Sequence, residues 1–259
     1  MLAQILILSL LNPLLMHAQG RPSELKKYSY LTYILEENGT PAFGCGFFLQ
    51  YHNEMFFVTA GHVVGLDRNT DEKWPGTLNI VLCKEINSKA CVLELDISKV
   101  ASKKEQIKKY IQPDLYFCKI KKPLKWVNAI KSQIPNYRKF GFSKIEGLYL
   151  WGYPNGPNSL TEIKEPIDTV LAKGPIIGNY NLRRYIKEAN TIDSMTYWVN
   201  TTGSNSSFGD SGAPAFFKVG NNFYFGGLCS MGYKGFNVMT VVRPEIIIRK
   251  IADSLDIDK

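Results

Sequence analysis

The hydrophobic residues of this chain recur in short runs, and the runs are separated by residues that favour turns. Pairs such as Asn38-Gly39 and Pro75-Gly76 lie between runs that are rich in Val, Ile, Phe and Tyr. This alternation is typical of β-strands joined by tight turns. It predicts strands at Tyr28–Leu35, Gly46–Gln50, Met55–Thr59, Leu78–Leu82, Val92–Leu95, Leu115–Ile120, Gly147–Tyr153, Thr196–Asn200, Ala213–Val219, Phe223–Cys229 and Asn237–Val242.

A helical pattern appears only near the end of the chain. Pro244 is followed by an apolar run in which the cations come late, as a terminal helix prefers, and it predicts a helix over about 244–255. The strands fall into two halves, about 28–120 and about 136–243, around the Lys- and Pro-bearing connector Lys121–Pro135. Many short strands with few helices favour an all-β barrel or sandwich.

The first residues of the chain have the pattern of an export signal. Leu2–Leu15 is almost wholly apolar, but it is shorter than the roughly 20 residues that a membrane-spanning helix needs. The small residue Ala18 follows, so we predict a signal peptide over residues 1–18 and cleavage before Gln19. The mature protein is then secreted or periplasmic, with no stable membrane anchor. No Lys or Arg precedes the apolar run, which leaves an uncleaved anchor as the alternative.

Composition excludes several classes of protein. A chain of 259 residues with 45% hydrophobic and 21% charged residues is too apolar for a disordered protein and too charged for a multi-span membrane protein. The net charge of +8 permits an anionic partner. However, basic doublets such as Lys103-Lys104 and Lys121-Lys122 are typical of a solvated face, so we expect no nucleic-acid partner.

Histidines and cysteines limit the kinds of site. With His17 in the signal peptide, only His52 and His62 remain, too few for a three-histidine zinc site, and we expect neither a metal nor a cofactor. The five cysteines cannot all pair with one another. Cys83 and Cys91 flank a short segment between apolar runs, where a hairpin would allow a disulfide. The remaining three lie inside strand-like runs, which predicts buried thiols at Cys45, Cys118 and Cys229.

Two segments carry the residues of a nucleophilic site. In the first, a hydrophobic strand ends in Thr59-Ala60-Gly61 and then His62; in the second, Gly209 and Gly212 frame Ser211. Serine is a poor nucleophile until a neighbouring base takes its proton. The glycines leave room for a substrate backbone and permit unusual backbone angles. Ser211 and His62 are therefore the candidate nucleophile and base.

A histidine base needs an acid that fixes its tautomer. Asp67, Asp96 and Asp114 all lie between the two segments. Asp114 stands where an apolar strand begins, in Gln112–Ile120. Asp114 is therefore the candidate acid.

Three blocks of the sequence resemble the signature blocks of trypsin-like serine proteases, in the same order along the chain. They are Thr59-Ala60-Gly61-His62, Asp114-Leu115-Tyr116-Phe117 and Gly209-Asp210-Ser211-Gly212. The resemblance implies an all-β fold of two six-stranded antiparallel Greek-key β-barrels with a short C-terminal helix. It places the active site in the cleft between the barrels. It also implies hydrolysis of peptide bonds in polypeptide substrates through an acyl-enzyme.

The resemblance assigns a role to each matching residue. Ser211 is the nucleophile, His62 is the general base and then the acid, and Asp114 orients the imidazole. The backbone N–H groups of Gly209 and Ser211 form the oxyanion hole.

The same resemblance implies the substrate-binding residues. In the block Gly227–Gly232, Ser230 and Gly232 match the strand that pairs with substrate. Asn205 stands six residues before the nucleophile, where relatives selective for basic residues carry an acid. Asn205 therefore predicts no Arg/Lys specificity, and Asn205, Ser206, Cys229 and Gly232 together predict an uncharged pocket.

Two departures make the chain similar to the divergent or bacterial-type members of that family. No sequence like the usual activation site occurs near the start, and Val63 follows His62 where a cysteine usually forms a disulfide around the histidine. We predict a secreted serine endopeptidase. Two alternatives remain: a catalytically silent protease-fold protein that acts as an exported binding module, and a basic exported adhesion or nucleic-acid-binding domain.

Overall fold

Strands dominate the part of the chain that the structure describes. The structure, a computed structural model, describes residues 18–19, 21–34, 43–64, 77–83, 90–96, 113–122, 124–131, 145–153, 161–165, 196–200, 209–233 and 238–257. Among these residues, no helix is long and apolar enough to cross a membrane. Residues 1–17 of the predicted signal peptide, Asn205 and Ser206 lie outside the described residues, so the predictions made for them stay predictions.

The first sheet is built from the first half of the chain. Its strands are β2 (Tyr30–Ile34), β3 (Phe43–Tyr51), β4 (Glu54–Thr59), β5 (Thr77–Cys83), β6 (Ala90–Asp96), β7 (Tyr116–Lys119) and β8 (Ala129–Lys131). They run in the order β6-β5-β2-β3-β4-β7, and β8 lies parallel beside β3. The order β5-β2-β3-β4 is that of a Greek key, in which the fourth strand returns to lie beside the first.

The second sheet is antiparallel throughout and takes most of its strands from the second half of the chain. Its strands are β1 (Ala18–Gln19), β9 (Gly147–Gly152), β10 (Thr161–Glu165), β11 (Thr196–Asn200), β12 (Pro214–Val219), β13 (Asn222–Tyr233) and β14 (Val238–Val242). They run in the order β10-β9-β12-β13-β14-β11, with β1 beside β13. The chain continues into helix α1 (Pro244–Ile257), as predicted at about 244–255.

The two sheets share one hydrophobic core. Phe47 of β3 and Phe225 of β13 meet edge to face, with ring centroids 5.4 Å apart. Ile247 and Ile251, one turn apart on α1, belong to the same buried cluster, as the period of a helix with one apolar face requires. The core therefore fixes the edges of the two sheets relative to each other.

A short segment near the start of the chain packs against the second sheet. It forms a 3-10 helix, Pro22–Tyr28, in which Leu25 is buried in the shared core. Trp151 of β9 donates its indole N–H to the carbonyl of Pro22 at 3.1 Å. Ser29 donates its hydroxyl to the carbonyl of Trp151 at 2.7 Å. The segment thus connects the second sheet to β2 of the first.

The structure corrects three details of the prediction. Each sheet has seven strands within the described residues, not six. The strands β1 and β8, of two and three residues, are too short to show a period in the sequence. Tyr28 ends a 3-10 helix rather than starting a strand. Part of the predicted connector Lys121–Pro135 belongs to the first sheet, where Trp126 packs edge-on against Tyr30 at 5.6 Å between ring centroids.

Candidate active site

His62 lies on a 3-10 turn, Gly61–Val64, directly after β4. The end of β4, Phe56–Thr59, is buried, so the strand is held in the core. The turn that follows is closed by the N–H of Val63, which donates to the carbonyl of Ala60 at 3.1 Å. The side chain of His62 remains 25% exposed. The fold therefore holds this imidazole at the surface with fixed neighbours.

Asp114 contacts His62 through both carboxylate oxygens. Its Oδ2 lies 2.6 Å from His62 Nδ1, and its Oδ1 accepts the backbone N–H of His62 at 2.9 Å. The hydroxyl of Ser230 donates to Oδ2 at 2.7 Å. Burial by itself raises the pKa of Asp114, but the charge of His62 and the hydrogen bonds from His62 and Ser230 outweigh it, so the pKa lies below its ordinary value. The carboxylate is therefore ionised at neutral pH.

Ser211 lies on a tight turn whose glycines have backbone angles that other residues rarely adopt. Gly209 has φ of 107° and Gly212 has φ of 89°. A Cβ on Gly212 would fall on the carbonyl of Cys45, so both the angle and the space require glycine there. The N–H of Gly212 donates to the carbonyl of Cys229 at 2.7 Å. Ser211 is half-buried on this fixed turn.

Gly44 lies where the histidine turn and the serine turn come closest to β3. A Cβ on Gly44 would lie 2.6 Å from Val63 Cγ2 and 2.8 Å from the carbonyl oxygen of Ser211. Val63 is the residue after His62. Since both turns pack against a position with no side chain, Gly44 allows the histidine turn and Ser211 to approach each other.

Asp210 points away from the surface, into the second sheet. It is 1% exposed, and its carboxylate occupies the space where Gly152 would carry a side chain. Gly152 is the last residue of β9. Its burial against β9 indicates a structural role for Asp210.

Cys45 adjoins the serine turn from β3. Its N–H donates to the carbonyl of Ser211 at 2.7 Å, and its Sγ lies 3.1 Å from the carbonyl oxygen of Gly209. Burial raises the pKa of the Cys45 thiol well above its usual value, and the charge of Asp210 raises it further. The thiol is therefore protonated at neutral pH and donates its S–H to Gly209.

Comparisons with known proteins identify the fold but no family by sequence. No protein-family model matches the sequence, and no curated protein matches it. A solved structure of a protein called GrC superposes with a TM-score of 0.57 over 93% of this chain and 99% of that chain, at 16% identity. A thermostable serine protease, AL20, from an extremophilic microorganism superposes with a TM-score of 0.55 over 87% of this chain and 95% of that chain, at 14% identity.

The chain has the chymotrypsin-like fold of trypsin-like serine proteases. His62 and Asp114 are in direct contact on this fold, and Ser211 lies on the turn next to the histidine turn. Two of the three sequence blocks thus contact each other, and the third packs against the same glycine, Gly44, as the histidine turn.

The strand that the resemblance predicts to pair with substrate is β13 of this chain. Ser230 is 2% exposed, and its hydroxyl contacts the carboxylate described above, a contact that the sequence analysis missed. Cys229 pairs with Val241 and Gly232 pairs with Met239, so β13 carries one extra residue between these pairs. Such a bulge changes the direction of a strand locally. Substrate contact by Ser230 and Gly232 stays a prediction.

The cysteines of this chain differ in part from the prediction. Cys45, Cys118 and Cys229 form no disulfide. Cys45 and Cys229 are buried thiols, as predicted, whereas Cys118 is only half-buried because β7 has a partly exposed face. In the β5–β6 pairing, Cys83 lies opposite Ala90, whereas Cys91 lies opposite Leu82. A shift of one position changes the face of a strand. This register does not favour a disulfide between Cys83 and Cys91, which stays a prediction.

The residues that support the candidate site from within the fold could not be identified from the sequence. Gly44, Cys45 and Gly152 come next to Ser211 or Asp210 only through contacts between distant parts of the chain. The only local signal was the glycine-rich run Phe43–Gly46, which indicated a close approach of backbones without naming the partner.

Proposed function

We propose that this protein is an exported serine endopeptidase that hydrolyses peptide bonds in polypeptide substrates through an acyl-enzyme. The observation that carries the proposal is the double contact of Asp114 with His62, on a protease fold and beside a glycine-framed serine. A carboxylate that binds both the ring and the backbone of a histidine fixes the orientation of the imidazole. That orientation is what a general base requires.

The contact with Asp114 determines which nitrogen of His62 acts as the base. An ionised carboxylate only accepts hydrogen bonds, so Nδ1 carries the ring proton and donates it to Asp114. Nε2 of the neutral imidazole then has a free lone pair. It takes the proton of the Ser211 hydroxyl as Oγ attacks the carbonyl carbon of the substrate.

The negative charge that forms on the substrate oxygen requires hydrogen-bond donors. We assign this role to the N–H groups of Gly209 and Ser211, which lie on the turn with φ of 107° at Gly209. A donor of this kind contributes about 3–4 kcal/mol to acyl transfer. The protonated His62 then gives its proton to the leaving amine. Water next attacks the acyl-enzyme while His62 takes a proton from it, and His62 returns that proton to Ser211 Oγ as the acid product leaves.

The proposed specificity is for uncharged residues. Asn205 stands at the place where relatives that cleave after basic residues have an acid, and it carries no charge. Peptide libraries should therefore show no preference for Arg or Lys at the cleavage site.

Covalent labelling tests the proposed activity most directly. The purified mature protein would be treated with a fluorophosphonate and read by intact mass, together with Ser211→Ala, His62→Ala and the control Ser254→Ala. Ser254 lies on α1 and donates its hydroxyl to the carbonyl of Ile251 at 2.7 Å. The same mass reports whether the exported chain begins at Gln19.

We expect one adduct on the wild type and on Ser254→Ala, and none on Ser211→Ala or His62→Ala. An adduct that persists in Ser211→Ala would place the reactive serine elsewhere. A folded wild type that is neither labelled nor active on peptide libraries would contradict the proposal and favour the exported binding module.

A further inference from the structure

One residue of the first sheet contacts two positions of the turn that carries Ser211, one through its side chain and one through its backbone. Cys45 is fully buried in β3. Its thiol lies against the carbonyl of Gly209 at 3.1 Å, and its backbone N–H binds the carbonyl of Ser211 at 2.7 Å. The thiol contact joins residues 164 positions apart in the chain. Cys45 thus connects β3 to the two residues whose N–H groups we assign to the oxyanion hole.

The thiol has a fixed environment of its own. Ser29 is completely buried beside Cys45 and interacts with its thiol. The hydroxyl of Ser29 is held by the carbonyl of Trp151 at 2.7 Å. The Cys45 side chain is therefore fixed between the N-terminal segment, the end of β9 and the serine turn, in a position from which it donates its proton to Gly209.

The carbonyl of Gly209 controls the geometry of the turn. Glycine adopts positive and negative φ almost equally well, so Gly209 by itself does little to hold its φ of 107°. A donor on its carbonyl restrains the peptide plane that follows, and with it the rotation of Gly209. If that restraint is lost, the amides of the turn can leave the orientation that an oxyanion needs while the rest of the fold stays intact.

We propose that Cys45 is a positioning residue for the oxyanion hole, because its thiol holds the carbonyl of Gly209 and so directs the N–H groups of Gly209 and Ser211 towards the substrate oxygen. This inference rests on the proposed function. It assigns to a buried thiol a role in the chemical step, whereas a thiol that only fills space would affect stability alone.

The test compares Cys45→Ala, which removes the donor, with Cys45→Ser, which keeps one. Cys118→Ala is the matched control, since Cys118 is a half-buried cysteine on β7 that forms no disulfide and lies outside the proposed site. Turnover of a peptide substrate would be measured per titrated active site, with the thermal midpoint of each variant. Affinity for a peptide aldehyde, whose tetrahedral adduct places a negative oxygen in the hole, would be measured alongside KM.

We expect Cys45→Ala to lower kcat about tenfold, the equivalent of about 1.4 kcal/mol, with KM nearly unchanged. Its affinity for the aldehyde should fall by a similar factor. Cys45→Ser should recover most of both losses, and Cys118→Ala should match the wild type.

Two results would overturn the inference, and they are distinguishable. If the wild type is active but Cys45→Ala keeps its kcat per titrated site and its aldehyde affinity, then Cys45 only fills space, whatever its thermal midpoint. If the wild type is neither labelled by fluorophosphonate nor active, the proposed function fails, and the role of Cys45 fails with it.

Discussion

Replacing Asp114 by asparagine keeps the shape of the side chain, removes its charge and puts a donor in the place of the acceptor Oδ2. The backbone N–H of His62 needs an acceptor, so the amide oxygen takes the place of Oδ1. The NH₂ group then lies where Oδ2 faced His62 Nδ1. Nδ1 must accept instead of donate, and the ring proton moves to Nε2. In that tautomer His62 cannot take the proton of Ser211.

Two interactions set the size of the expected loss. An imidazolium and a carboxylate about 4 Å apart attract each other by about 4 kcal/mol at an effective dielectric constant of about 20. The charge-assisted hydrogen bond from Nδ1 contributes about 1.5–3 kcal/mol. A combined loss of about 5.5–7 kcal/mol corresponds to a decrease in kcat of about 10⁴- to 10⁵-fold, and the lower end is the size expected for a Ser-His-Asp triad.

The assay is turnover of a peptide substrate, with the thermal midpoint as a check of folding. Asp253→Asn is the matched control, because Asp253 is an exposed acid on α1. We expect the control to keep the wild-type kcat. A folded Asp114→Asn variant whose kcat stays within tenfold of the wild type would refute the assignment of His62 and Asp114 as base and orienting acid.

Three further predictions concern the support of the site. Gly212→Ala should lower the free energy of unfolding by more than the roughly 1–3 kcal/mol of backbone strain alone, because its Cβ would meet the carbonyl of Cys45. Gly220 has φ of 59° and open space around it, so Gly220→Ala measures the backbone strain without a clash. Equal losses for the two variants in urea unfolding would contradict the steric argument. Ser230→Ala removes one donor from Asp114 and should lower kcat about tenfold, as expected for one hydrogen bond to a charged group; an unchanged kcat would show that the remaining donors suffice. Because the pKa of Asp114 lies below its ordinary value of 3.8, the ionised carboxylate stabilises the fold above that pH, and this contribution is lost as the pH falls through the folded pKa. Urea unfolding between about pH 6 and pH 2 should therefore show a steeper loss of stability in the wild type than in Asp114→Asn. Parallel curves for the two proteins would contradict the lowered pKa.

The strands and the three sequence blocks could be predicted because their signals are local. Alternating turn residues and apolar runs located most strands, and the end of β4 before His62 was visible in the sequence itself. β1 and β8 were missed because strands of two and three residues have no recognisable period. They exist only because a neighbouring strand pairs with them.

The supporting contacts of the site could not be predicted, because they depend on register. Ser230 was predicted on the strand that pairs with substrate, yet its hydroxyl binds Asp114, 116 residues away in the chain. Cys45 was predicted as an inert buried thiol, and nothing near it in the sequence indicates Gly209 as its partner. A sequence motif identifies the reacting groups. The residues that hold these groups in place depend on which strand ends come together in the fold.

The docking of Leu25 and its 3-10 helix on the second sheet has a consequence for how the chain folds. Pro22 and Ser29 bind Trp151, which follows them by 129 and 122 residues. During synthesis, the N-terminal segment is therefore made long before its partner strand, and such non-local contacts form late. A first-half fragment would expose Leu25, and a second-half fragment would lack β1. To reconstitute the protein from two pieces, the split should come before β2: the piece 30–259 then carries β2 to β14 and α1, and residues 19–29 are added as a peptide that docks on the second sheet.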